Sequence, residues 1–290
     1  MQSTTRRMVW TALLLMCFGH ASDASGMCTP TPTTVCLAGD VMSISVDWTS
    51  ETGSGAGLPF AVATSSTGFF TLDDPGTVEV MAQAFDACSI NGNYWVFLSV
   101  LSTHELTVHV TNTQTATSTS YNFPGGSVPQ PITDTAALAC GPRRSPATTS
   151  LDLTSLRMPT ELALVGGRFR VSIEWETAGG ASAGQGFPIP LTDSSGAFWY
   201  FDTDNPQLLL SIEPNATGDA YRFVSNAVSS VGQTITVRDT CDDSTSVYAS
   251  LPTAIAVIVD DDIFPIACGT HVFANDFESG HVGFWSFSTH

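Results

Sequence analysis

Two stretches of the chain decide its fold: Met42–Trp48, with the sequence MSISVDW, and Phe169–Trp175, with the sequence FRVSIEW. In both, every second residue is apolar and the last one is a tryptophan. Because successive side chains of a β-strand point to opposite faces, each stretch has one wholly apolar face. Each therefore predicts a strand that buries this face in a core and ends on a buried tryptophan.

The second stretch follows the first at an offset of 127 residues, and the same offset aligns many distant positions. Near the Cys-Gly dipeptides the offset slips by one residue. A chance match would not hold its register over such separations, so we interpret the chain as one module repeated twice. The aligned identities include Leu37 with Leu164, Trp48 with Trp175, Tyr94 with Tyr221, Thr107 with Thr234, Tyr121 with Tyr248, and Ala139–Gly141 with Ala267–Gly269.

Short apolar runs and turn signals such as Asp74-Pro75-Gly76 and Asn91-Gly92-Asn93 fill both copies, without helical periodicity. This pattern predicts an all-β protein of two tandem β-sandwich domains, immunoglobulin-like or related. The predicted domains are residues 25–142 and 161–269. A linker over residues 143–160, rich in Pro, Ser and Thr, joins them, and residues 270–290 form a C-terminal tail.

The N-terminus has the composition of an export signal, predicted over residues 1–24. Arg6-Arg7 precedes the apolar run Met8–Gly19, and Ala21 or Ala24 provides a small residue for cleavage. The apolar run is too short for a permanent transmembrane helix. Since no other stretch is longer and as apolar, we expect no transmembrane segment, and a mature protein that is secreted or held at the cell surface.

The charge balance excludes one large class of partners. Only 12% of the residues are charged, the net charge is −18, and all nine basic residues are arginines. Nucleic-acid binding depends on neutralising phosphates, so nucleic acid is not expected as a partner. Anionic membrane surfaces are disfavoured for the same reason.

Several blocks resemble a β-module that recurs in secreted bacterial proteins, with the pattern Cys-Leu, Gly-Arg-Phe, Val-x-Trp, Asn-Gly-x-Phe-Trp-Val-Phe and Asp-Thr-x-Ala-Phe. The first copy carries most of it, whereas the second lacks the Asn-Gly block. The resemblance implies a compartment and an architecture but no activity. The matching blocks are Cys28–Leu37, Asn91–Phe97, Leu101–Thr107 and Asp134–Leu138 in copy one, and Gly167–Phe169 and Phe198–Phe201 in copy two.

The tail segment Phe273–Gly280 is similar to a short Phe-x-x-Gly-Phe-Glu-Ser-Gly element found near the ends of some exported bacterial proteins. It has Asp276 where that element has glycine. Two interpretations stay open for this segment: a sorting or retention tag, or a last strand with an aromatic end.

Without Cys17 of the signal, six cysteines remain, which predicts disulfides in an exported chain. Two of them, Cys28 and Cys36, are both missing from the second copy, as expected for a bonded pair. Cys140 and Cys268 align with each other, so each needs a partner in its own copy. The predicted pairs are Cys28–Cys36, Cys88–Cys140 and Cys241–Cys268. A cysteine zinc site is the alternative, but the spacings lack close Cys-x-x-Cys pairs.

No motif for catalysis or for a metal stands out. His104 and His109 are one residue too far apart for a helical zinc motif, and we expect both to be ordinary strand residues. The aspartate clusters at 73–74, 242–243 and 260–262 suit turns, with calcium as the alternative. There is no Gly-x-Ser-x-Gly elbow. We therefore expect no enzyme activity, no metal and no cofactor.

Aromatic residues give the binding hypothesis. Trp95 aligns with Arg222, so it does not belong to a core shared by both copies, and an exposed Trp95 could stack on a sugar. Tyr94, Trp95 and Trp199 are the predicted binding residues, and packing within their own copy is the alternative. The sequence thus favours a secreted non-catalytic module that binds glycan or protein, or serves as a spacer. A hydrolase or inhibitor whose site is not visible in the sequence is the alternative.

Overall fold

The computed structural model describes residues 26–60, 64–141 and 159–268. These residues form four antiparallel five-stranded sheets and a single 3-10 turn at Ala178–Gly180. The prediction of an all-β protein with two sandwich domains is confirmed. The predicted signal peptide, most of the predicted linker and the C-terminal tail lie outside the described residues.

The first sandwich consists of two sheets. Sheet A has the strand order β1-β2-β8-β9, with β3 also paired to β2, and sheet B has the order β10-β7-β6-β5-β4. The strands are β1 (Thr34–Leu37), β2 (Met42–Ser50), β3 (Gly53–Ala56), β4 (Leu58–Pro59), β5 (Thr67–Thr71), β6 (Val80–Ala87), β7 (Asn93–Val100), β8 (Glu105–Asn112), β9 (Thr117–Phe123) and β10 (Ile132–Ala139).

The second sandwich pairs its strands in the same order. Sheet C runs β11-β12-β18-β19 with β13 on β12, and sheet D runs β20-β17-β16-β15-β14. Its strands are β11 (Glu161–Leu164), β12 (Phe169–Glu176), β13 (Ala183–Gln185), β14 (Phe187–Pro190), β15 (Ser195–Trp199), β16 (Pro206–Pro214), β17 (Ala220–Ala227), β18 (Gly232–Asp239), β19 (Thr245–Ser250) and β20 (Val257–Pro265).

The alternating stretches behave as predicted. In β2, Met42, Ile44 and Val46 are fully buried in the first core, and β12 buries its apolar face in the second core in the same way. The tryptophans at the strand ends are only half-buried. Trp48 lies against Gly55, where an added Cβ would be 3.2 Å from the indole, and Trp175 lies against Gly184, where it would be 2.9 Å away. Only a glycine leaves room for an indole this close to the strand.

The strands β6 and β16, in sheets B and D, are buried on both faces over most of their length. Residues Val80–Ala84 of β6 and Pro206–Ile212 of β16 are all buried, without alternation. One face of each sheet covers its own sandwich core. The other faces pack against each other, so the layers follow the order A, B, D, C, and the two domains are joined by a continuous apolar interface. This interface cluster contains Phe69, Val78, Met81, Leu101, Leu191, Ala197, Leu209, Val224 and Val228.

Polar bonds across the interface are reciprocal. Ser66 Oγ donates to the carbonyl of Asp204, and Ser194 Oγ donates to the carbonyl of Gly76 at 3.0 Å. The strand registers make Ser66 correspond to Ser194 and Gly76 to Asp204. The contact between Ser66 and Asp204 is thus repeated by their counterparts, Ser194 and Gly76. An interface in which each contact is repeated by the counterpart residues is isologous. The two sandwiches are therefore related by an approximate two-fold axis.

Three cysteine pairs lie at disulfide distance, with Cα–Cα separations of 5.6, 5.9 and 5.6 Å for Cys28–Cys36, Cys88–Cys140 and Cys241–Cys268. These are the pairs that the sequence predicts. The assumed equivalence of Cys140 and Cys268 does not hold in the strand register. The amide of Cys140 donates to Gly92 just before β7, whereas the matching bond before β17 runs from Ile266 to Asp219.

Candidate functional site

The three predicted binding residues lie in different surroundings. Tyr94 is only 5% exposed and belongs to the first core, so its ring is not presented to a ligand. This burial favours the alternative, packing of Tyr94 within its own copy, since neighbouring residues of a strand face opposite ways. Trp95 is half-buried on the opposite face of sheet B. Trp199, at the end of β15, stacks on Phe187 at 4.5 Å between ring centroids.

Trp95 belongs to a group of three aromatic rings, Phe85, Trp95 and Phe97, which we call the aromatic strip and in which Phe97 contacts both other rings. Phe85 lies opposite Trp95 in the strand pair β6–β7, and the Trp95 and Phe97 rings stack at 6.3 Å. The indole N–H of Trp95 donates to Asn91 Oδ1 at 3.2 Å, and Asn91 Nδ2 donates to the carbonyl of Thr135 at 2.7 Å. Trp95 is therefore held in one orientation.

The strip has no aromatic counterpart in sheet D. The strand register there places Glu213, Arg222 and Val224 at the positions of Phe85, Trp95 and Phe97. Arg222 Nε donates to Asp261 Oδ1 at 2.8 Å. The two corresponding surfaces therefore differ in character: the one on sheet B is aromatic, and the one on sheet D carries ionisable side chains.

The surface on sheet D forms one wall of a cleft between the sandwiches. The cleft has a volume of about 160 Å³. Residues of both domains line it: Thr77, Glu79, Leu101, Ser102, Thr103 and His104 from the first, and Ser211, Glu213 and Arg222 from the second. A larger and more open groove of about 490 Å³ lies on sheet C beside Trp175, remote from this ionised cluster.

His104, Asp73 and Glu79 meet at this cleft. The Nε2 atom of His104 is 3.2 Å from Asp73 Oδ2, and the His104 ring stacks on Trp48 at 5.4 Å. One potential metal-ligand atom from each of the three residues lies within 4.8 Å of the others. The arrangement could bind a cation.

Burial changes the acidity of the cleft carboxyls. It raises the pKa of Glu79 to about 7, although a hydrogen bond from Ser102 acts in the opposite direction. Burial also raises the pKa of Glu213. Glu79 Oε2 is buried and has no hydrogen-bond partner among the described residues. An ionised carboxylate here would be poorly compensated.

This cluster was not predicted from the sequence. Both His104 and His109 were expected to be strand residues, but His104 precedes β8, whereas His109 faces outward between Asp47 and Ser120. Glu79 was not singled out at all. Its only signal is that it is the one charged residue of the apolar run 77–85.

The other acidic candidates have separate partners. Asp260 accepts a hydrogen bond from the Tyr248 hydroxyl, Asp261 bonds Arg222, and Asp262 accepts one from Asn215. Consecutive aspartates of this strand therefore serve three different contacts. Asp86, Cys88 and Cys140 form a second group of potential metal ligands. The two cysteines are bonded to each other in a disulfide, so neither offers a thiolate to a metal.

No protein-family model matches the chain, and no curated protein or solved structure shows significant similarity to it. Within the described ranges, no helix is long and apolar enough to cross a membrane.

Proposed function

We propose that this chain is an exported, non-catalytic binding protein whose aromatic strip stacks on the ring of a neutral glycan. The observation that carries the proposal is the geometry of Trp95. Its ring remains part-exposed on sheet B, continues into Phe85 and Phe97, and is fixed by the bond to Asn91. A rigid aromatic surface of this kind contributes large apolar area at low entropic cost.

The surroundings of the strip suit a sugar. The half-buried Asn93 shares the face of β7 that carries Trp95, and the exposed Asn91 lies beside it. The Asn93 side chain can bond hydroxyl groups around a ring whose apolar face rests on Trp95. The net charge of −18 would repel sulfated or carboxylated polysaccharides, which is why a neutral glycan is favoured.

Compartment and architecture support an extracellular binding role. Three disulfides are typical of proteins that mature in an oxidising environment. A spacer role is less consistent with the fold, because sheets B and D pack face to face and give a short, thick block rather than an extended chain of domains.

The test is a neutral-glycan array on the mature protein, followed by calorimetric titration with the best ligand. Trp95→Ala should weaken binding at least tenfold. The matched control is Trp199→Ala, which removes a half-buried, stacked tryptophan of the second sandwich that lies outside the strip. We expect this control to bind like the wild type.

Three results would overturn the proposal: no saturable glycan binding, equal loss in both variants, or no loss in Trp95→Ala. Turnover of a polysaccharide or peptide library would instead support the hydrolase alternative. In that case Glu79, with its pKa raised to about 7 in a cleft, would be the first acid–base candidate.

A further inference from the structure

We propose that Asp73, Glu79 and His104 bind a divalent transition-metal cation of the Zn²⁺ type in the cleft between the two sandwiches. Their ligand atoms lie within 4.8 Å of one another. They come from three separate segments: the loop after β5, the residue before β6 and the residue before β8. This inference is independent of glycan binding by the aromatic strip.

The backbone holds two of the three residues in place. The Glu79 amide donates to the carbonyl of Phe70 at 3.0 Å, and the Glu79 carbonyl accepts from Leu101 at 2.8 Å. The His104 amide donates to Ser102 Oγ at 3.2 Å, while its ring rests on Trp48. Because these bonds fix the backbone at Glu79 and His104, the two side chains form a preorganised part of the ligand set.

The carboxyl groups of the cleft are only partly compensated by its basic residues. Glu79 Oε2 is buried without a hydrogen-bond partner among the described residues, and Glu213 adds a second carboxyl nearby. Arg222, the one arginine lining this cleft, donates its Nε to Asp261. A cation would satisfy the Glu79 oxygen, and a volume of about 160 Å³ holds the ion with water completing its coordination.

The donor set indicates the class of ion. One imidazole nitrogen and two carboxylate oxygens suit a borderline cation such as Zn²⁺, which commonly uses three protein ligands and a water. Calcium prefers six to eight oxygen ligands, and a histidine is not among them.

His109 provides a matched control within the same chain. Its Nε2 lies 3.1 Å from Asp47 Oδ2, almost the same distance as in the His104–Asp73 pair. This second pair is exposed, and no third ligand joins it in the described part of the chain. The two histidines therefore differ in the presence of Glu79.

The experiment is calorimetric titration of the full-length, chelator-treated protein with ZnCl₂. We expect one site per chain that His104→Ala and Glu79→Gln weaken at least tenfold, whereas His109→Ala leaves it unchanged. The wild-type melting temperature should rise on adding ZnCl₂, and this rise should disappear in Glu79→Gln, whose metal-free fold is checked by circular dichroism. Equal affinity in His104→Ala, equal loss in His109→Ala, or tighter binding of CaCl₂ would refute the site.

Discussion

The hydroxyl of Ser99 on β7 donates to the backbone carbonyl of Asn226 on β17 at 2.9 Å, and these two residues occupy corresponding places in their sheets. Asn226 Nδ2 in turn donates to the carbonyl of Val100 at 2.8 Å. Ser99 and Asn226 are both fully buried. Because a position here meets its own counterpart, this contact marks the two-fold axis of the interface.

The apolar interface should couple the unfolding of the two sandwiches. Met81 and Leu209 are fully buried in the interface cluster. Truncating either to alanine should cost about 2–5 kcal/mol of unfolding free energy through lost contacts and a cavity. Calorimetry should show one transition for the wild type and two for the Met81→Ala/Leu209→Ala double variant.

The control for this prediction is Val247→Ala, since Val247 is 60% exposed on sheet C. We expect it to change stability by less than about 0.5 kcal/mol. Two transitions in the wild type would show that the interface does not couple the domains. A double variant with one transition and the stability of the control would show that Met81 and Leu209 do not contribute to the coupling.

Stability should fall as the pH rises towards neutral in the absence of divalent cations. Burial raises the pKa of Glu79 from 4.5 to about 7, so between these values the folded state keeps a proton that the unfolded state has lost. The unfolding free energy then decreases with pH, by roughly 3 kcal/mol at most. Urea unfolding in the presence of EDTA, at pH 5 and at pH 8, measures this decrease in unfolding free energy.

Glu79→Gln removes the titrating group and keeps the shape of the side chain. The stability difference between pH 5 and pH 8 should shrink in this variant by the amount that Glu79 contributes. An unchanged difference, or a wild type that becomes more stable as the pH rises over this range, would contradict the assignment to Glu79.

Arg168 should be needed to bury Asp239. The Asp239 side chain is 2% exposed, and Arg168 Nη2 donates to it at 2.7 Å. Arg168→Ala would leave a buried carboxylate without its partner and should cost about 3–5 kcal/mol. In the first sandwich the corresponding residue is the buried, neutral Asn112, so Asp239→Asn should recover much of the loss.

The comparison variant is Arg238→Ala. Its partner Asp243 is 81% exposed, and an exposed pair contributes less than about 1 kcal/mol. Denaturant unfolding measures the stability of each variant. Equal losses of unfolding free energy in Arg168→Ala and Arg238→Ala would argue against a structural role for the buried pair.

The long-range disulfide should stabilise the chain more than the local one. Cys88–Cys140 spans 52 residues and Cys28–Cys36 spans 8. The loop-closure entropy of the unfolded chain gives about 4 kcal/mol for the first and about 2.5 kcal/mol for the second. Paired Cys→Ala variants, compared by chemical denaturation, should lose stability in this order, and the reverse order would exclude an entropic origin.

Strand alternation at Met42–Trp48 was enough to predict the class of fold, because one face of sheet A is core and the other is solvent. The packing of the two domains was not predictable in this way. In Val80–Ala84 both faces are buried, so the alternation that reports a single covered face is absent. A continuous apolar run predicts burial on both faces of the strand, but it does not identify the surface that packs against the outer face.

The sequence was less informative about the cleft. Asp73, Glu79 and His104 come together only because β5, β6 and β7 pair in one register, and no spacing in the chain encodes that register. Trp95 was accessible to prediction, because its counterpart Arg222 shows that the position is not common core. The same comparison pairs Tyr94 with Tyr221, which indicates a core position in both copies, and both tyrosines are buried.

The isologous interface also limits how many such sandwiches one assembly can hold. Each uses the same sheet to meet its partner, and after pairing the apolar centre of that surface is covered. A contact of this type closes on itself, unlike a head-to-tail contact that propagates. A third sandwich would find the apolar centre of each such sheet already covered, so longer chains of this unit would form separate pairs rather than a continuous stack.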